Sequence, residues 1–258
     1  MVFHHRHHHR RRRLVLVRMG TFALLACLLP CVATRTFADD APQPNIIFIL
    51  ADDLGWADIG YHDSDVRTPH LDRLAGDGTR LNQHYVYPTC SPTRVALLSG
   101  RFPSRFGVLG PLGYGFDTSY GYLRGQIDPY THRYKFGDHV TWHRDDQFVE
   151  ECGHVTDLIT DEAIRVIESA GQEPFFLYVA HHSPHYPLNE PPKWIAPYEQ
   201  TIEDVWRRHF AAAISHLDDG VGQIVRALER TGLRDKTLIT TSRKNKGVRS
   251  IYWTFYRK

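Results

Sequence analysis

Asn45-Ile46-Ile47-Phe48-Ile49-Leu50-Ala51-Asp52-Asp53-Leu54-Gly55 is the stretch that decides the fold. Six consecutive apolar residues follow one asparagine and stop at two carboxylates. A strand wetted on one face alternates polar and apolar residues, whereas an unbroken run belongs to a strand covered on both faces, as in a parallel sheet between helices. Working outward, residues 174–180 (Pro-Phe-Phe-Leu-Tyr-Val-Ala) and 237–241 (Thr-Leu-Ile-Thr-Thr) read as two more such strands. Between them the period changes to that of helices. Thr68-Pro69 offers a cap and a first-turn proline for a helix whose apolar face is Leu71, Leu74 and Ala75. Residues 156–170 present Leu158, Ile159, Ala163, Val166 and Ile167, and residues 204–231 present Phe210, Ala213, Ile214, Leu217, Val221, Ile224, Val225 and Leu228. Residues 79–87 are strand-like. Residues 88–94 read as a turn leading into a helix over 95–99, which Gly100 ends. Residues 102–149, rich in Gly, Tyr and Asp, show no sustained period. Strands alternating with helices predict an α/β fold with a largely parallel sheet.

The 258 residues are 42% hydrophobic, 23% charged and 12% aromatic, which excludes disorder, collagen-like repeats and a coiled coil. The net charge of +2 is unevenly spread. Residues 1–38 carry seven arginines and no acid, leaving 24 basic against 29 acidic side chains in residues 39–258. The bulk of the chain is therefore not a polycation suited to nucleic acid. The basic, histidine-rich start, the apolar stretch over 21–33 and Thr36-Phe37-Ala38 read as a signal peptide over residues 1–38, cut after Ala38. That stretch is too short to span a bilayer. Export to a secreted or periplasmic location follows, with lipid attachment at Cys27 as a second reading. Cys27 and Cys31 fall in the leader, and Cys90 and Cys152 either form one disulfide or have separate fates. Residues 39–242 read as the catalytic domain. Residues 243–258, with six basic residues, no acid and a Tyr252-Trp253-Thr254-Phe255-Tyr256 cluster, stand apart as a basic aromatic tail. Such a composition can stack on single-stranded nucleic acid, but nothing upstream supports that role.

Ligands in open α/β sheets bind beyond the carboxyl ends of the strands. Asp52-Asp53 follows the first strand and His181-His182-Ser183-Pro184-His185 the second, while Cys90-Ser91-Pro92-Thr93-Arg94 lies at the mouth of a helix. Two adjoining carboxylates suit a hard divalent cation, although such pairs also serve as caps or solvated loops. A cysteine near a helix N-terminus, four residues from a guanidinium, sits in a positive field that favours an anion beside it. Its bland alternative is a structural cysteine in a proline-kinked turn.

These residues carry a resemblance. Ala51-Asp52-Asp53-Leu54-Gly55, Thr68-Pro69-His70-Leu71-Asp72-Arg73-Leu74-Ala75 and Cys90-Ser91-Pro92-Thr93-Arg94-Val95-Ala96-Leu97-Leu98-Ser99-Gly100-Arg101 resemble the type I, formylglycine-dependent sulfatase family, nearest its arylsulfatase B-like members. Gly115-Phe116-Asp117, Tyr120-Gly121 and Pro184-His185-Tyr186-Pro187-Leu188 are similar to further landmarks of that family. The resemblance spans residues 45–242. It implies an alkaline-phosphatase-like three-layer fold with a mostly parallel sheet, here incomplete, and a sulfuric ester hydrolase acting on aryl or carbohydrate sulfates. Cys90 would be oxidised by a separate maturation enzyme to formylglycine, whose hydrate attacks the sulfur of the ester with help from one calcium ion. Asp52, Asp53 and the Cys90-derived group match the metal ligands, Arg94 the arginine that holds the hydrate, and His185 a histidine at the sulfate or leaving group. His181 and His182 match nothing and read as loop residues.

Two departures stand beside the matches. A Gly-Lys-Trp-His-Leu-Gly segment expected before Gly115 is absent, and the expected Ser-Asp-Asn-Gly reads Ser242-Arg243-Lys244-Asn245. This places positive charge where the ion needs oxygen ligands, and the family's smaller C-terminal domain is missing. Two alternatives therefore accompany the hydrolase: a catalytically impaired remnant that binds without turnover, and a phosphodiester or phosphonate hydrolase of the same superfamily.

Overall fold

The computed structural model describes residues 1–6, 43–244 (except 85, 88, 103, 105–109, 136 and 138) and 250–255. The leader from residue 7 onward, including Cys27, Cys31 and the Ala38 cut, lies outside the described residues. Nine strands form one sheet: β1 (Val2–Arg6), β2 (Asn45–Asp52), β3 (Thr79–His84), β4 (Thr118–Tyr122), β5 (Trp142–Arg144), β6 (Gln147–Phe148), β7 (Phe175–Ala180), β8 (Thr237–Lys244) and β9 (Ser250–Phe255). Their order is β3-β9-β8-β2-β7-β1-β4-β5-β6. The parallel pairings are those of β2 with β7 and with β8, at the centre, and the flanking pairs are antiparallel. The three strands read around residues 45–51, 174–180 and 237–241 thus became the adjoining inner strands β2, β7 and β8.

Among the described residues the α-helices are α1 (Pro69–Asp77), α2 (Cys90–Ser99), α3 (Val155–Ser169), α4 (Pro192–Ile195) and α5 (Val205–Arg230). Ile47 and Ile49 of β2 and Leu177 and Val179 of β7 are buried with Ile159, Ala163 and Ile167 of α3 and with Ile214, Leu217, Val221 and Ile224 of α5. Each such side chain contributes about 1.5–3 kcal/mol on leaving water. Gly222 lets α5 approach α1 closely: a Cβ there would stand 2.5 Å from the His70 ring.

Several boundaries differ from expectation. From Cys90 onward the turn predicted over residues 88–94 is already helix, since α2 begins there with Thr89 as its cap residue. Pro92 sits in the first turn, where its missing N–H costs nothing. Residues 102–149 hold β4, β5 and β6, too short and too polar to show a period. Thr68 stands at the start of α1, but its hydroxyl donates to Asp72 Oδ1 (2.8 Å) instead of capping an amide. Asp218, from α5, accepts from the amides of His70 (3.0 Å) and Leu71 (2.7 Å). Part of the tail set aside on composition, Ser250–Phe255, is strand β9, antiparallel to β8 and β3.

Candidate active site

The site lies at the carboxyl ends of β2 and β7. The two ends are tied together: the amide of His181 donates to Leu50 O (2.9 Å) and that of Asp52 to Ser183 O (3.2 Å). Asp52 closes β2, and Asp53 adopts the left-handed conformation (φ 65°), which Asp tolerates better than most residues. The chain therefore turns between the two carboxylates. Asp52 is 2% exposed.

Cys90 opens α2, across a cleft whose lining includes Asp52, Cys90, Ser91, Arg94, Tyr122 and Tyr178. The ten residues of α2 align their peptide dipoles, so the positive end of the helix is at Cys90. One turn on, Arg94 Nη2 donates to Asp52 Oδ2 (3.0 Å) and to the Tyr122 hydroxyl (3.3 Å). That hydroxyl donates to Ala180 O (3.2 Å), anchoring the group to the end of β7. Burial opposes the Arg94 charge, but Tyr122, Tyr178 and Asp52 more than offset this and hold its pKa well above the ordinary value. Burial pushes the Tyr122 phenol up to about 12, so it stays a neutral donor.

His185 is buried, and its Nδ1 donates to Tyr186 O (2.5 Å). Nε2 is thereby turned on Asp53 Oδ2 at 3.4 Å. With Nδ1–H committed to a carbonyl, those two acceptors are joined only by a second proton or another cation. The structure thus brings all five sequence-predicted residues, Asp52, Asp53, Cys90, Arg94 and His185, to one end of the sheet. The oxygen donors suit a hard cation in kind. In number they fall short, because calcium takes six to eight oxygens and two carboxylates are offered among the described site residues, one already shared with Arg94.

Of the two cysteine readings the structure fits separate fates, since Cys90 and Cys152 are both free thiols. One expectation needs correction. Arg243 does not face the ion site. It pairs with Ala51 across β8 and β2, and its Nη1 donates to Leu54 O (3.0 Å) on the α1–α5 side of the sheet. Burial there lowers its pKa to about 10. Lys244 is the residue placed opposite Asp52 in the register. His181 and His182 do lie in the loop after β7, as expected, yet they are 0% and 2% exposed, and burial pushes both pKa values down to about 3. The His182 ring lies 5.9 Å from Tyr122 and 5.5 Å from His185, so it belongs to the wall of the site.

Sequence reasoning also missed a buried cluster behind the site. His216 Nδ1 meets Glu190 Oε2 (2.6 Å) and its Nε2 meets Asp157 Oδ1 (2.8 Å). His154 Nε2 lies 3.6 Å from the same Glu190 oxygen, and the three nearest groups are close enough together for a metal ion. However, His154 Nδ1 accepts from Thr156 N (3.2 Å) as the cap of α3, which leaves its proton on Nε2, facing Glu190. His216 therefore links Glu190 and Asp157 through its own ring nitrogens, and His154 turns no lone pair toward them. Burial disfavours the His216 charge, but the hydrogen bonds that its ring donates to Asp157 and Glu190 more than offset it and raise its pKa. The one available signal was three separate residues, His154, Glu190 and His216, whose proximity only folding supplies.

A sulfatase family model matches residues 44–241. Arylsulfatase J of Mus musculus is 30% identical over 263 residues, covering 80% of this chain and 43% of that protein. N-acetylgalactosamine-6-sulfatase of the same species is 29% identical over 273 residues, covering 80% and 51%. The chain thus spans about half the length of the curated relatives it matches. Among solved structures, Ps i-CgsB in complex with k-i-k-neocarrahexaose superposes with a TM-score of 0.76 at 26% identity, covering 84% of this chain and 66% of that one.

Proposed function

Because the chain belongs to the sulfatase family, we propose that it is a sulfuric ester hydrolase whose substrates are carbohydrate or aryl sulfates and whose nucleophile derives from Cys90. The observation that carries this reading is the shared cleft of Cys90, Asp52 and Arg94, with Arg94 held charged beside the carboxylate. A sulfate ester is an anion, and its transfer spreads negative charge over the sulfur oxygens. The positive end of α2 and the Arg94 guanidinium answer that charge from one side of the cleft.

Asp52 and Asp53 would hold calcium, and the ion would supply charge neutralisation and polarisation of the transferring group. The protein's own groups do the rest. Arg94, braced by Tyr122 on the Ala180 carbonyl, orients the anion. His185, its tautomer fixed by Tyr186 O, presents Nε2 to the site and can exchange a proton with a departing alcohol. His182, kept neutral by burial, adds no competing charge. Names among the relatives, an N-acetylgalactosamine-6-sulfatase and a neighbour holding k-i-k-neocarrahexaose, favour carbohydrate sulfates.

The test is co-expression of the full chain with a formylglycine-generating enzyme, intact-mass analysis of the Cys90 peptide, and parallel assays of a carbohydrate sulfate, an aryl sulfate and an aryl phosphodiester. Conversion of Cys90 with sulfate release that Cys90→Ala abolishes is the expected result. Preference for the phosphodiester moves the chain to the sister chemistry. Conversion without turnover leaves the remnant reading, which the two-carboxylate donor set favours.

A further inference from the structure

The strand that lies between β7 and β4 in the sheet comes from the first six residues of the chain, the segment whose composition reads as the start of a leader. β1 pairs with β7 over five residues (Val2↔Val179, Phe3↔Tyr178, His4↔Leu177, His5↔Phe176, Arg6↔Phe175) and with β4 over three (Val2↔Tyr120, Phe3↔Ser119, His4↔Thr118). The ladder is closed at both ends: Ala180 N donates to Met1 O (2.6 Å), and Asp117 N donates to His4 O (2.9 Å).

The side chains of β1 are packed as core. Val2 and Phe3 are 2% and 1% exposed. The Phe3 ring lies 4.9 Å from Phe116 and 5.4 Å from Tyr178, and both Phe3 and Met1 line the cleft that holds Cys90. The receiving side is shaped to match. Gly121 of β4 has φ 118°, and a Cβ on it would stand 2.8 Å from the Met1 Cα.

β4 and β7 each run antiparallel to β1 and therefore run in one direction, about 10 Å apart, two strand spacings. They cannot pair without one moving. Taking β1 away would leave two facing rows of unmet amides and carbonyls inside the sheet, with an apolar floor beneath them. No other described segment supplies a strand there.

From this we infer that residues 1–6 are a working strand of the folded domain, a built-in donor that completes the sheet between β4 and β7 and forms one wall of the active-site cleft. The segment is thus retained by the folded protein, against the expectation that it leaves with the leader.

Hydrogen exchange with mass spectrometry on the purified full chain tests this, alongside intact-mass and N-terminal analysis. Amides of residues 2–6 are expected to exchange on the order of a hundredfold or more slower than in the free hexapeptide, and those of residues 119–122 likewise against an unstructured peptide of their own sequence. Protection of residues 2–6 after a cut further along the leader equally supports the donor. Folded protein that begins at residue 39 and lacks the peptide overturns it. So does free-peptide exchange in residues 2–6 while β7 stays protected. Protection that appears only in a dimer assigns the strand to a second copy and overturns the intramolecular placement. Phe3→Asp supplies a second readout: a fall in Tm of about 5–10 °C with faster exchange in β4, whereas an unchanged Tm refutes the packing.

Discussion

Arg94→Met removes the partner of a carboxylate that is 2% exposed, while the arginine side chain itself is 17% exposed. Asp52 Oδ2 loses its 3.0 Å charge-assisted bond and keeps its desolvation cost. Breaking one side of a buried pair in this way costs about 3–5 kcal/mol. Asp52→Asn, made separately, leaves Arg94 charged beside Tyr122 and should cost a similar amount. The double variant, which leaves no buried charge unanswered at this point, should cost clearly less than the sum. A coupling of about 2 kcal/mol or more is expected from the cycle. In a domain of this size each kcal/mol moves the midpoint by roughly 2–4 °C, so Arg94→Met alone should lower Tm by about 6–20 °C. Denaturant unfolding at constant m-value gives the energies directly. Additive single effects, or an Arg94→Met cost below about 1 kcal/mol, would refute the argument that this pair is buried and coupled.

His181 is neutral in the folded state down to a pKa of about 3, whereas an unfolded histidine takes its proton near 6.5. Between those values the unfolded chain holds the extra proton, so this group makes stability rise with pH and fall on acidification, by about 2 kcal/mol from pH 7 to pH 5. Asp218, raised to about 7 mainly by burial, works in the opposite direction over part of that range, so the difference between wild type and His181→Asn is the quantity to measure. A pH slope unchanged in the variant rules out the buried neutral histidine. Asp218→Ala deprives the His70 and Leu71 amides of their acceptors. It should cost about 1–3 kcal/mol, with faster exchange confined to α1. Equal protection of α1 in both proteins would show that Thr68 or water can replace the cap.

Elements with a sustained hydrophobic or β-branched pattern were legible in the sequence: β2 and β7 by continuous apolar runs, β8 by a short β-branched stretch, and α1, α3 and α5 by one-sided faces. β4 and β5 were not. Thr118-Ser119-Tyr120-Gly121-Tyr122 and Trp142-His143-Arg144 bury large aromatic rings among polar residues, so no two-residue alternation survives. The start of α2 was hidden by Pro92, which breaks helices in their interior and is harmless in a first turn. β1 was concealed by its neighbours, since the arginines and histidines after it dominate the composition of the segment. At the site, Asp52, Asp53, Cys90, Arg94 and His185 were readable as motifs at strand and helix ends. Tyr122, His182 and the His216 cluster were not, because their roles depend on partners distant in the chain. The side to which Arg243 turns was equally hidden, being set by its register against Ala51.

Asn45, the first residue of β2, stitches three strands with one side chain: its Oδ1 accepts from Phe175 N, 130 residues away, and its Nδ2 donates to Thr237 Oγ1, 192 residues away. Synthesis delivers those partners late. At about 5–20 residues per second, the hydrophobic run after Asn45 emerges roughly 6–26 s before β7 and 10–38 s before β8. For that interval a nascent polypeptide carries its stickiest strand with neither neighbour in existence. Assembly of the central ladder is consequently a late event, and the yield of soluble protein depends on how well the cell shields that run from other chains while it waits.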